Sequence, residues 1–537
     1  MRIGKNLLDE LTYRVLVCDG ATGTRIQELG VLQDESIEYT SILRPDLVRR
    51  VHSEYIDAGA DLIETNTYRA NEFMLAKHGL QRRVEEMNRI SAWIAVEAAG
   101  NRAYVLGSVG PTGRLMTPIG DLHFKDAYNA FKTQISSLVI GGVDGIIIET
   151  MYDLRELKAA LLALKDTAPG IPRICQMSFN EDGRTSLGTD SLSCATVVEG
   201  MDADVIGANC SVGPASLVRV LHEMAEITGN FLSVQPNAGF PTKKAGKIFY
   251  PATPEYVASF VKNFVDEGVS IIGGCCGTNP SHIREIAAKV RAMKPVTRKV
   301  SELFKLSGRT RAFMGGGGKR PMVIGTAIGA LSGEGSKYDL EARRLLTVQS
   351  LATRQVEFGA DVLLVGVPQE APESAELVKK ILTLIQNAVP NPLALKTRSP
   401  KGLETVLESI EGKALLIVET RDPSDLKEIL SLAKRFGLSV ALPWEEGRSG
   451  GIMTILRETG FRQNDSIFLI EADSSSKLTH KLGEARKAGA HAAVGIGALL
   501  NLCGAAGTSE ILKAGGATAV FANTEVEQER SVLRAVL

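Results

Sequence analysis

At 537 residues the chain is longer than one hydrophobic core supports, so at least two domains are expected. Hydrophobic residues at 44%, charged residues at 23% and a net charge of −1 are ordinary globular values and give no electrostatic case for nucleic acid or an acidic membrane. A small-molecule substrate is the default. The first residues carry no signal-peptide pattern and no apolar run is long enough for a membrane span, so a cytoplasmic location is expected. Seven cysteines, few and odd in number, suit a reducing compartment where thiols bind metal rather than pair.

Short runs dense in β-branched and aliphatic residues recur at 14–18, 60–65, 102–109, 143–149, 172–179, 205–210, 231–236 and 269–275. Each reads as a strand buried on both faces. Amphipathic stretches at 47–58, 82–99, 124–140, 155–164, 214–227, 254–264 and 280–292 read as helices between them. Strands alternating with helices predict an α/β fold, a (β/α)8 barrel over 1–297. Residues 298–320 mix basic residues with Gly315 to Gly318 and read as a Gly-rich linker. A phosphate loop is excluded there, because Gly318-Lys319 is followed by Arg320-Pro321 rather than by Ser or Thr. Beyond it, strand-like runs at 322–327, 360–367, 392–397, 414–419, 439–443, 466–471, 492–497 and 517–523 alternate with helical stretches at 338–358, 373–386, 401–410, 423–436, 450–458, 477–488, 505–513 and 526–536. The expectation is two tandem (β/α)8 TIM barrels, the second, over 321–537, compact with short rim loops.

In such a barrel the loops after the strands form the active face. Cys210 ends the sixth strand and the adjacent Cys275 and Cys276 end the eighth, so sulfurs about 65 residues apart in sequence can converge on one rim. Three thiolates leave one position of a tetrahedral Zn2+ for an outside ligand, whereas a structural zinc site closes with four protein ligands. A free thiol has a pKa near 8.5, and metal coordination converts it to the thiolate, so the pattern reads as a site that activates a thiol. Cys18, Cys175, Cys194 and Cys503 read as small core or surface residues without a role.

Eight segments carry a resemblance. They are Asp19-Gly20-Ala21-Thr22-Gly23-Thr24, Glu64-Thr65-Asn66-Thr67, Gly110-Pro111-Thr112, Glu149-Thr150, Gly183-Arg184-Thr185, Ala208-Asn209-Cys210, Pro236-Asn237-Ala238-Gly239 and Gly273-Gly274-Cys275-Cys276-Gly277-Thr278. Through them the first barrel resembles the homocysteine S-methyltransferase family, most closely the homocysteine-binding barrel of the cobalamin-dependent methionine synthases. The resemblance implies that Cys210, Cys275 and Cys276 hold zinc and that the sulfur of homocysteine takes the open position. An electron-rich three-thiolate site favours attack on a methyl carbon over hydrolysis, which usually employs His and carboxylate ligands with bound water. Glu149 resembles the family carboxylate that contacts the amino group of homocysteine, with a rim salt bridge as the alternative. Asp19 and Glu64 are similar candidates, and Asn209 and Asn237 are candidates for orienting neighbouring loops. Gly20 and Gly23 either bring backbone amides close to the substrate carboxylate or serve a turn that needs φ above zero.

The second barrel resembles the folate-binding barrel of the same enzymes, a relative of dihydropteroate synthase, through its position and the segment Met322-Val323-Ile324-Gly325. The buried carboxylates and asparagine that such barrels present to a pterin ring are absent. The strand ends read Val365-Gly366-Val367, Lys396-Thr397-Arg398 and Val418-Glu419-Thr420. Glu419 is a substitute acceptor and Lys396 or Arg398 a partner for a phosphate or a folate tail, or each is an exposed rim charge. No Asp-x-His-x-x-Gly corrinoid segment follows, so the resemblance implies a methylated corrinoid (methylcobalamin) carried on a separate protein. The variants are methyltetrahydrofolate bound by the second barrel, a sulfonium donor of the S-methylmethionine type, a second barrel that only docks the corrinoid protein, and a zinc-storage or scaffold role.

Overall fold

The expected strands are short and apolar on both faces, and each pairs in parallel with its neighbours, as strands covered by helices do. The computed structural model describes residues 6–32, 35–240, 242–244, 247–300, 302–330, 342–367, 372–420, 422–444, 449–471, 475–487, 490–495, 517–522 and 527–536. They form two compact units, Met1–Val300 and Ser301–Leu537. In the first, the barrel strands are β1 (Leu16–Val17), β2 (Leu62–Glu64), β3 (Tyr104–Val109), β4 (Gly145–Met151), β5 (Arg173–Met177), β6 (Val205–Asn209), β7 (Phe231–Gln235) and β8 (Val269–Ile272). Each of β2 to β8 lies beside the next, β8 returns to β1, and a bridge between Cys18 and Leu62 joins β1 to β2.

Side chains alternate along a strand, so inward positions fall into layers. The lowest layers, including Leu16, Leu62, Tyr104, Leu106, Ile147, Ile174, Val205 and Ile271, are apolar, and Leu7 and Leu11 at the N-terminal helix Leu7–Glu10 join the same core. Above them lie small residues: a Cβ on Gly207 would run into Ser233, and one on Gly273 would sit 2.7 Å from the Cβ of Cys18. The upper positions are Glu64, Ser108, Glu149, Gln176, Asn209 and Gln235, all polar. The apolar floor holds the barrel closed, and the polar top faces the loops that carry the cysteines.

Some elements differ from expectation. Helix Ser191–Gly200, between β5 and β6, has no counterpart in the amphipathic pattern, because Ser, Cys, Ala, Thr and Val recur on all sides and every residue except the half-buried Leu192 is buried. Residues 254–264 form two helices, Pro254–Ser259 and Val261–Asp266, instead of one. After β7 a two-stranded hairpin pairs Thr242–Lys244 with Lys247–Phe249.

His52, on helix Pro45–Ala58, is completely buried and neither ring nitrogen has a hydrogen-bond partner. Burial pushes its pKa down to about 4. The folded value lies below the unfolded value of about 6.5, so the neutral ring is favourable above that pH, and stability is lost as pH falls from about 6.5 towards the folded value. His52→Leu should remove about 2 kcal/mol of acid sensitivity over this window, measured as the difference between urea unfolding free energies at pH 7 and pH 4.5.

The second unit is a closed barrel of β9 (Met322–Gly325), β10 (Val362–Gly366), β11 (Leu393–Thr397), β12 (Leu415–Val418), β13 (Ser439–Pro443), β14 (Ser466–Leu469), β15 (His491–Gly495) and β16 (Ala519–Ala522). The stretch 298–320, expected as a linker, is largely part of this unit. Phe304–Ser307 pairs antiparallel with Ala312–Gly315, and Phe304 and Leu306 enter the core beside Met322, Ile324 and Leu415. A backbone bridge from Ser307 to Lys413 ties the hairpin to the start of β12. Gly316, Gly317 and Gly318 take φ of +82°, +58° and +83°, so the glycines serve a turn that other residues adopt poorly. The helix expected over 505–513, and Cys503, lie outside the described residues. No described helix is long and apolar enough to cross a membrane.

Candidate metal and thiol site

Cys210 follows the last residue of β6, and Cys275 and Cys276 lie three and four residues past the end of β8. Cys210 and Ser211 have φ of +59° and +55°, a conformation that costs energy for residues with a Cβ and turns the chain sharply at the barrel mouth. Backbone bonds fix the loops: Cys210 N–H donates to Gln235, Cys275 N–H to Pro236, and Ala238 N–H to Cys276. The three ligand sulfurs lie within 4.8 Å of one another, and Cys210 Sγ is 3.8 Å from Cys276 Sγ. Tetrahedral zinc with sulfurs at about 2.3 Å spaces them about 3.8 Å apart, so this donor set fits zinc with one position open. Hydrogen bonds from Cys210, Cys275 and Tyr250 hold Cys276 down to about 3, the thiolate of the group. Cys210 accepts from Cys275, donates to Cys276 and is shielded from water, and is pushed up to about 12.

Beside the cysteines lies a layer of acids. Glu149 is buried, accepts the Ser108 hydroxyl at 2.5 Å and an Asn209 amide N–H at 3.2 Å, and donates to Glu64. Gln235 Nε2 holds Glu64 at 2.8 Å, and Asp19, fully buried, accepts the Glu64 backbone N–H at 3.0 Å. Burial, and then the charge of Asp19, raise Glu64 to about 7; burial, and then Glu64, raise Glu149 well above the carboxylate range. Glu149 therefore makes no rim salt bridge: it is an interior group. Cys18, expected as a plain core residue, has its Sγ 3.6 Å from Glu64 and forms part of this layer. Asn209 joins the two clusters, because its Oδ1 accepts Thr150 N–H and its Nδ2 reaches both Glu149 and Thr150. Asn237 is buried beside Val212 through its backbone, and its Oδ1 has no partner.

Neither Gly20 nor Gly23 has a positive φ, which overturns the turn explanation for them. A Cβ on Gly20 would lie 2.7 Å from Thr278 Oγ1 and 2.9 Å from Tyr55, so close approach requires that glycine. Two residues near the cysteines escaped sequence reasoning. Tyr68 faces Glu149, Cys210 and Cys275, and its hydroxyl bonds Thr150. The Tyr250 hydroxyl bonds Cys276, and its ring covers Gly277 so closely that a Cβ there would collide with it. Gly110, whose added Cβ would collide with Tyr68, was the available signal for the first.

At the strand ends of the second barrel, Lys396 Nζ lies 2.6 Å from Glu419 and Arg398 Nε 3.1 Å from the same carboxylate. The three candidate rim residues are therefore brought together, as two cations paired with one carboxylate. The other upper inward positions, Gly366, Pro443, Leu469, Gly495 and Phe521, offer no carboxylate.

A family model described as homocysteine S-methyltransferase matches residues 16–290. A methionine synthase from Mycobacterium tuberculosis is 30% identical over 470 residues, 84% of this chain and 39% of that protein. The chain spans well under half the length of the curated relatives it matches. Among solved structures, the oxidised form of the homocysteine methyltransferase MmuM from Escherichia coli is 23% identical, with 53% of this chain and 98% of that chain covered at a TM-score of 0.45. A 7,8-dihydropteroate synthase from Vibrio fischeri is 14% identical, with 43% and 96% covered at a TM-score of 0.34.

Proposed function

The chain belongs to the homocysteine S-methyltransferase family, and from that premise we propose that it methylates the thiol of homocysteine to give methionine. The observation that carries this reading is the convergence of Cys210, Cys275 and Cys276 within 4.8 Å, next to buried acids. These cysteines would hold a zinc ion, which when bound supplies the deprotonation of a thiol at neutral pH. Glu149, Glu64 and Asp19 are the acceptors for the substrate ammonium, and Asn209 keeps Glu149 in register with the Cys210 loop. Gly20 lets the β1 loop pack closely against Thr278 on the cysteine loop, and Asn237 orients the loop after β7. Tyr68 and Tyr250 flank the sulfurs and restrict water. In the transfer the thiol proton leaves, a sulfur lone pair forms the new S–CH3 bond, and the electrons of the broken methyl bond remain with the donor.

The donor in this reading is a methylated corrinoid, the form methylcobalamin takes when carried on a separate protein. Pairing of Lys396 and Arg398 with Glu419 disfavours methyltetrahydrofolate on the second barrel, because an anionic folate tail would have to compete with that carboxylate. The test is anaerobic incubation of zinc-loaded protein and homocysteine with methylcobalamin, methyltetrahydrofolate or S-methylmethionine, with methionine as the readout. Methionine should form with methylcobalamin. Formation only with S-methylmethionine would replace the donor, and formation with none would remove the methyltransferase reading.

A further inference from the structure

A second group of metal-binding atoms lies apart from the three cysteines. Cys18, just past β1, is completely buried in the barrel core, with its Sγ 3.7 Å from Asp19 Oδ1 and 3.6 Å from Glu64 Oε1 at the end of β2. The three ligand atoms lie within 4.8 Å of one another. A thiol has one proton, so it satisfies only one of the two carboxylates at a time. The spacing is that of metal ligands: sulfur at about 2.3 Å and oxygen at about 2.1 Å from a tetrahedral zinc lie about 3.6 Å apart. An independent observation on β7 points to the same place. Gln235 is 2% exposed and its amide ends at Glu64, with Nε2 2.8 Å from Oε1, yet its own Oε1 has no partner. An amide carbonyl oxygen is a ready ligand for a divalent cation. Among the described residues, the upper inward positions of this barrel include no lysine, arginine or histidine to neutralise the acids.

We propose that Cys18, Asp19, Glu64 and Gln235 Oε1 form a second site for a thiophilic divalent cation such as Zn2+, and that filling it shuts out the α-ammonium of the amino-acid substrate. The site itself stands on the four ligand atoms. The exclusion rests on the homocysteine reading, in which Asp19 and Glu64 accept that ammonium. As the ion binds, the S–H bond of Cys18 breaks, its electron pair goes to the metal and the proton passes to solvent. Metal and ammonium are both cations and need the same carboxylate oxygens, so each excludes the other. Excess zinc thereby becomes an inhibitor that competes with substrate, while Cys210, Cys275 and Cys276 keep their own ion.

Titration of the full-length protein with Zn2+ alone, against a chromophoric chelator, counts the ions, and the cadmium-113 resonances of the Cd2+-loaded protein give the ligands of each. Wild type should take two ions per chain, one with the resonance of a three-sulfur site and one with that of a single-sulfur, oxygen-rich site. Cys18→Ala should take one and Cys175→Ala two. L-Methionine carries the ammonium without a thiol, and at about ten times its Kd it should weaken the second ion about tenfold by competition. A single ion per chain in wild type overturns the site and leaves the homocysteine reading intact. So does a second ion that persists in Cys18→Ala with oxygen ligands alone, which would be an adventitious ion only. A Cys18-bound ion that methionine does not displace overturns the exclusion. Failure of both methionine and homocysteine to bind overturns the homocysteine reading and leaves the ion count standing. Should Cys18→Ala not fold, the presence or absence of the single-sulfur resonance in wild type decides alone.

Discussion

Cys275→Ala should strip the protein of zinc under mild chelation and lower methionine formation by at least about a thousandfold, equivalent to about 4 kcal/mol of lost transition-state stabilisation. The site has three sulfurs within 4.8 Å, so one deletion removes a third of the donors and one of the charges that balance the cation. The barrel itself should survive. Cys275 lies beyond the end of β8, in a loop fixed by backbone bonds from its own N–H to Pro236 and from Thr278 N–H to its carbonyl, and alanine keeps both. Metal content by atomic absorption, turnover and thermal unfolding together separate a ligand from a packing residue. Cys175→Ala, in the wall of the barrel, serves as the comparison and should keep its zinc. A Cys275→Ala protein with full zinc and full turnover would refute the three-sulfur site.

Lys413→Met should destabilise the second barrel by about 3 to 5 kcal/mol. Lys413 is 1% exposed and its ammonium contacts Asp465, 6% exposed, which Arg462 also contacts at 2.8 Å. Although burial opposes it, Lys413 and then Arg462 hold the Asp465 carboxyl well below the usual range. Methionine matches the stem but leaves a buried carboxylate with one partner, and that carboxylate is half of the pair's cost. The sign with pH follows from the depressed value. The ionised Asp465 stabilises the fold above the unfolded value of about 3.9, and the contribution is lost as pH falls through the folded value. Wild type should therefore lose stability below about pH 4, and Lys413→Met should lose much less over the same interval. Trp444, stacked edge to face on Phe468 at 5.1 Å, reports unfolding of this unit in a Trp93→Phe background. Equal midpoints for wild type and variant would show that the buried pair contributes nothing net.

The barrels were legible because a parallel strand covered on both sides leaves an uninterrupted apolar run, and sixteen such runs stand in the chain. The cysteine site was legible because barrel geometry places strand ends on one rim, so Cys210 and Cys275 could be brought together by counting strands. What escaped was pairing across the barrel. Glu64 and Glu149 stand on strands separated by β3, and no local pattern shows that their carboxyls meet. Tyr250 escaped for a related reason, since the residue it covers, Gly277, is a rigid turn at φ +80° whose partner is distant in sequence. The same limit applied to Lys396 and Glu419, read singly as ligands or rim charges but neutralising each other in space. Residues 304–315 were misjudged because the following glycines outweighed the alternation Phe304-Lys305-Leu306-Ser307, which is the pattern of a strand with one apolar face.

That hairpin decides where the chain can be cut. A fragment begun at the glycine run would lack Phe304 and Leu306, both completely buried against Met322, Ile324 and Leu415, and would leave the floor of the second barrel open to water. An apolar opening of this kind favours association between copies, so such a fragment would be recovered as aggregate even if every barrel strand were present. Division just before residue 302 keeps the plug with the barrel it closes, and any separate expression of the second unit has to start there.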